Sequence, residues 1–147
     1  MTLQIGNRVL ALFCAIWAGI VIGVSFIATI AKFAAPSLTR PVALEVGAHT
    51  FDMLAHIEWG LAILLALLIF AARVTRLRLL FLFLIVAILL GEAIWLFPQL
   101  NTRTALVIAG EPLPPSPLHA ISVAVESSKV ILLALFAAIE LKAIRIR

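Results

Sequence analysis

VLALFCAIWAGIVIGVSFIATIA, residues 9–31, runs for 23 positions without a charged side chain. A helix needs about 20 apolar residues to cross a hydrocarbon layer of about 30 Å. A soluble helix of this length would show a polar face. Three further runs reach the same length, at about Met53–Ala72, Leu79–Phe97 and Leu118–Leu141. Composition agrees: 65% of the 147 residues are hydrophobic and only 12% charged, against roughly 45–50% and about 25% in soluble domains. Mean hydropathy is +1.24. The sequence therefore predicts an all-α, integral membrane four-helix bundle, one domain over residues 1–147, with spans at 9–31, 53–72, 79–97 and 118–141.

The ends of these spans carry their own signals. Ser116 and Pro117 read as the N-cap and first residue of the fourth helix. The preceding EPLPPSP cannot be helical and belongs outside the lipid. The first apolar run exceeds the 7–15 residues of a signal-peptide core, so it is expected to stay in the mature chain. The single cysteine, Cys14, cannot form an intramolecular disulfide and reads as a buried thiol.

Basic residues set the expected orientation. Arg8, Arg73, Arg76, Arg78, Lys142, Arg145 and Arg147 flank the spans on one side, whereas only Lys32, Arg40 and Arg103 lie on the other. The positive-inside rule then places both termini and the middle loop in the cytoplasm, with longer loops near 34–49 and 98–116 outside. The net charge of +4 reports this topology rather than nucleic-acid binding.

Polar residues recur in the outward half of each span. Glu45, His49, Asp52 and His56 are spaced four, three and four apart, on one helical face. Ser25, Thr29 and Lys32 form a second stripe, Glu92 and Gln99 a third, and His119, Ser122, Glu126 and Lys129 a fourth. In lipid such stripes are accommodated by facing each other. The expectation is one outward-facing pocket, sealed below by aliphatic side chains. His49, Asp52, His56, Glu92, His119 and Glu126 are the candidate metal ligands, a set suited to copper, zinc or iron. The same groups could handle protons. Haem held by His56 and His119 is a third, lower-ranked reading. Lys32, Glu58 and Lys129 are the expected ion-pair or proton-handling groups, and Glu126 with Lys129 could simply neutralise one another. Glu58 falls roughly opposite His56 and so faces another helix or a second copy of the chain. Gly19-Ile-Val-Ile-Gly23 allows close helix contact within or between subunits. Trp17, Trp59 and Trp95 read as packing or interface anchors.

No GxSxG, HExxH or phosphate-binding loop occurs, and nothing points to an enzymatic reaction. Trp17-x-Gly19, Ser25-Phe26, Lys32-Phe33-Ala34-Ala35-Pro36, Gly47-x-His49-x-Phe51 and Glu58-Trp59 together resemble small four-helix bacterial membrane proteins of the transmembrane protein 205 group. More distantly they resemble the membrane domain of copper-resistance protein D. That resemblance implies a four-helix fold in the bacterial cytoplasmic (inner) membrane and a loose association with metals. It implies no residue roles. The expected function is cation binding, of a metal ion or protons, in the outward pocket. The main alternative is a non-catalytic accessory subunit of a larger membrane complex or a homo-oligomer.

Overall fold

A computed structural model describes residues 2–145, with side chains placed for 4–144. Arg147 and the side chain of Arg145, two of the basic residues used for orientation, lie outside what is described. Among the described residues every regular element is helical. Four helices are long and apolar enough to cross a membrane: α1 (Gln4–Ala34), α2 (Arg40–Ala72), α3 (Arg76–Ile108) and α4 (Leu118–Ile144). Their order brings the chain's ends and the 73–75 turn to one end of the bundle, the terminal end. The 35–39 turn and the 109–117 segment lie at the other, distal end.

The helix boundaries follow from local chemistry. Ala35 is extended, with φ −72° and ψ 116°, as expected of a residue ahead of Pro36, and α1 stops there. Thr75 Oγ1 accepts the Arg78 N–H at 3.3 Å and Ser116 Oγ accepts the Leu118 N–H at 3.3 Å, so hydroxyls cap α3 and α4. At the far end of α3, Gly110 has φ +84°. Its N–H donates to Val107 O, and the Glu111 N–H donates to Leu106 O, the paired closure that glycine permits by entering the left-handed region.

Two helices are longer than the apolar runs indicated. α2 begins at Arg40 rather than near Met53, and α3 continues through Pro98 to Ile108, so the expected loops at 34–49 and 98–116 are mostly helix. A proline normally breaks a helix because it lacks an N–H and crowds the carbonyl four residues back. Here Pro98 follows a π-helical turn, Glu92–Leu96, in which the Phe97 N–H reaches back to Glu92 O. The wider turn takes the preceding carbonyls out of the register with which the proline ring would clash. At 33 residues, α2 and α3 are each about 50 Å long. That is longer than the thickness of a hydrocarbon layer, about 30 Å.

α1 packs most extensively on α4, and also against α2, while α3 contacts α2 and α4. The core between them contains Leu10, Cys14, Leu65, Ile69, Leu133 and Phe136. Phe81 stacks on Phe136 with centroids 4.9 Å apart. Lipid tails are as apolar as these side chains, so the gain on assembly comes from close packing rather than from expelling water. α1 and α2 approach closely at Gly6, where a Cβ would fall 2.9 Å from the Ala72 Cβ. Gly19 and Gly23, by contrast, have nothing within 4 Å on the Cβ side, so the GxxxG face is not used inside the bundle.

This contrast gives a pair of expected outcomes for thermal unfolding in detergent. Gly6→Ala overpacks the α1–α2 contact and should cost about 1–3 kcal/mol. Gly19→Ala should be neutral or stabilise by up to about 1 kcal/mol through helix propensity. A loss of stability at Gly19 would mean that a second chain covers that face.

Candidate functional site

Spacing of three and four residues along α2 places Gly47, Leu54, Glu58, Ala62, Leu65 and Ile69 on its buried face. Glu58 is thus carried into the core in register with apolar neighbours. From α3 comes Glu92, the first residue of the π-helical turn, and from α4 come Glu126 and Lys129, one turn apart. The Lys129 Nζ lies 2.7 Å from Glu58 Oε2, 3.0 Å from Glu92 Oε2 and 3.2 Å from Glu126 Oε1. All four residues are 2% exposed or less. α1 completes the cluster from outside: Trp17 Nε1 donates to Glu58 Oε1 at 3.1 Å, and Ser25 Oγ donates to Glu126 Oε2 at 3.0 Å.

Ser25 also sits in a π-helical turn, Ile22–Ala28. Both interruptions of regular helix therefore supply a polar side chain to this cluster. Such wide turns rotate a side chain relative to the regular helix and concentrate at functional sites.

The cluster is over-supplied with acceptors. One ammonium faces three carboxylates whose oxygens come within 4.8 Å of one another. Glu92 Oε1 is buried without a donor, and Glu126 Oε1 has only its 3.2 Å ion-pair contact with Lys129, outside hydrogen-bond geometry. With all groups ionised the cluster would carry a charge of about −2, and isolated charge in a low-dielectric interior costs several kcal/mol per ion.

A second buried pair lies at the terminal end. Arg78 Nε and Nη2 donate to Glu140 Oε1 and Oε2 at 2.8 and 2.7 Å. Nη2 also donates to Asn7 Oδ1 and Nη1 to Arg73 O, each at 2.7 Å. This is a matched, bidentate pair with every carboxylate oxygen used. The sequence reading took Arg78 only as a topology marker and expected this half of the bundle to be aliphatic. Its partner Glu140 is 62 residues away, and chain separation gives no sign of the contact.

The structure divides the expected pocket. Of the candidate ligands, Glu92 and Glu126 converge, and Glu58 and Lys129 join them. His49, Asp52 and His56 do not. Their shared face is real, but it is the face opposite Glu58 and is exposed. His56 Nδ1 bonds the Asp52 backbone carbonyl at 2.7 Å, while the Asp52 carboxylate stands 3.9 Å off. Glu45, His49 and Asp52 line an open cleft with Asn101 of α3. His119 is exposed and borders a cavity with Thr29 and Ser122. Lys32 is half-buried, its Nζ over the rings of Phe33 and Phe51 at 5.3 and 5.6 Å, and its amine is seated where a side chain at Gly47 would lie. Trp95 and Gln99 are exposed. Trp17, read as a packing anchor, is a hydrogen-bond donor to the cluster as well.

Comparison of the chain with protein-family models, curated proteins and solved structures returned no match. The functional reading rests on the geometry.

Removing the ammonium should be far more damaging than removing one carboxylate charge. Lys129→Met leaves three buried carboxylates facing one another and should cost about 3–5 kcal/mol, with part of the loss recovered in acid as the carboxylates protonate. Glu92→Gln keeps the shape and lowers the excess charge, and should change stability by about 1 kcal/mol or less. Melting temperatures in detergent at neutral and acidic pH check both.

Proposed function

We propose that this is a multi-pass membrane protein that binds exchangeable cations, protons foremost, at the Glu58–Glu92–Glu126–Lys129 cluster. One observation carries the reading: three buried carboxylates surround a single ammonium, and Glu92 Oε1 has neither a hydrogen-bond donor nor an ion-pair partner. Charge balance in lipid calls for about two further positive charges. Protons shared among close carboxylates supply them without rearrangement. A metal ion would need the space between the three carboxylates, which the Lys129 ammonium holds. Metal binding by the triad therefore requires Lys129 to swing away. Haem is less well supported, since His56 is exposed on α2 and does not border the cavity that His119 lines.

Orientation belongs to the same proposal. The exposed basic residues Arg8, Arg73, Arg76 and Lys142 gather at the terminal end, which the positive-inside rule places in the cytoplasm, so the distal end faces out. The cavity of about 200 Å³ bordered by Ser25, Thr29, His119, Ser122 and Glu126 then links the cluster to the outer side. An apolar layer including Leu10, Cys14, Leu65 and Leu133 separates it from the inner one. The membrane of residence, by resemblance, is the bacterial inner membrane.

A second reading keeps a specific observation in its favour. The exposed His49–Asp52–His56 face and the open Gly19–Gly23 face are surfaces that a partner helix or a second copy could cover. An accessory subunit would use them.

Infrared difference spectroscopy tests the first reading. Wild-type protein at neutral pH should show the carbonyl band of a protonated carboxylic acid, and Glu92→Gln or Glu126→Gln should reduce it. An unchanged band in both variants, with no metal bound to the wild type, would reduce the cluster to a structural role. Stoichiometric metal that disappears in Glu126→Gln would move the reading from protons to metal. For orientation, tags at either terminus should report cytoplasm and a tag at 109–117 should report outside.

A further inference from the structure

Only three basic residues, Lys32, Arg40 and Arg103, lie toward the distal end, and all three line adjoining cavities. Lys32 borders a space of about 100 Å³, and Arg40 and Arg103 border one of about 560 Å³. The two share Leu44, Leu100, Thr104 and His119 as a common wall. No carboxylate lines either, although Glu45 and Asp52 stand nearby on α2, where they face a separate cleft. None of the three basic side chains forms a salt bridge among the described residues. Arg103 donates instead to the Pro114 carbonyl, which ties the proline-rich segment across the larger cavity as a roof.

The helices add to the same field. The first turns of α2, at Arg40 and Leu44, and of α4, at Leu118, form part of the wall. Helix N-termini carry partial positive charge and favour anions. Thr104 and His119 supply hydrogen-bonding groups, while Leu44, Leu100, Val107 and Leu113 make the remainder apolar. Cations lining adjoining cavities with no carboxylate in either wall repel one another, and a cavity wall of low dielectric concentrates that field.

We propose that this distal vestibule binds a phosphate-bearing anion with an apolar remainder, the phosphate held by Lys32, Arg40 and Arg103 and the apolar part by the leucine wall. Arg40 and Arg103 are the residues suited to forked recognition of phosphate oxygens. Lys32, seated between Phe33 and Phe51, acts as a point charge. The site is separate from the buried cluster and does not depend on the proton reading. The phosphate could come from an outer-leaflet lipid headgroup or from a soluble phosphate ester, and the two sources are distinguished by experiment.

Purified full-length protein in a neutral detergent would be titrated with phosphatidylglycerol or phosphatidylcholine and followed by native mass spectrometry. In parallel it would be titrated with inorganic phosphate and followed by thermal shift. The wild type should prefer phosphatidylglycerol by about tenfold or more, the scale of one charge-assisted contact. Arg40→Gln and Lys32→Gln should each remove most of that preference, Arg40→Lys should restore part of it, and Arg76→Gln at the terminal end should leave it intact. Stabilisation by phosphate without lipid preference, abolished in the same variants, would assign the site to a soluble ester and equally support it. Arg40 is exposed, so Arg40→Gln should fold even if changes at Arg103 disturb the roof. If Arg40→Gln and Lys32→Gln bind both lipids and phosphate as the wild type does, the proposal is overturned.

Discussion

Lys129 is the point at which all four helices meet. Its ammonium touches carboxylates from α2, α3 and its own helix, and two of these are tied to α1 through Trp17 and Ser25. In lipid, apolar contact alone selects register poorly, because a leucine face packs nearly as well against acyl chains or a shifted neighbour. A buried charged group is different. It must find its partners or remain uncompensated, and only one rotation and one height of each helix satisfies this cluster. The apolar core then fills in around a register that the polar contacts have chosen. The Arg78–Glu140 pair fixes α3 to α4 a second time near the opposite end, so these two helices are pinned at two heights.

How far the sequence revealed this depends on the kind of signal. The helices were legible because a lipid-crossing segment must be long and apolar whatever its neighbours are. Their distal extensions were not, since those turns are less apolar and lose the hydropathy signal while staying helical. Pro98 looked like an end because the π-helical turn that accommodates it leaves no mark in composition.

The site was legible in part, and the stripe argument explains both halves. Sharing a helical face shows that side chains travel together, not which way they point. His49, Asp52 and His56 do travel together, onto an exposed surface. Glu58, spaced with Gly47, Leu54, Ala62 and Leu65, follows the apolar face inward, and that spacing was the available signal. A lone acid in register with a helix's small and apolar residues is more telling than several acids sharing a face that begins outside the membrane. Contacts such as Arg78 with Glu140 or Trp17 with Glu58 join distant parts of the chain, and spacing within one helix carries no information about them.

The molecule contains its own control for interpreting the Lys129 cluster. Arg78 and Glu140 form what a structural clamp in lipid should be: one cation, one anion, both carboxylate oxygens and all three guanidinium nitrogens engaged, on helices with regular geometry at that level. Were Lys129 only a second clamp, one carboxylate would suffice, and further acids would add desolvation cost with nothing to offset it. Instead there are three, one carboxylate oxygen, Glu92 Oε1, has no partner, and two helices abandon regular hydrogen bonding at the residues that reach the cluster. An excess of acid that a fold could dispense with favours a site whose positive charge comes and goes.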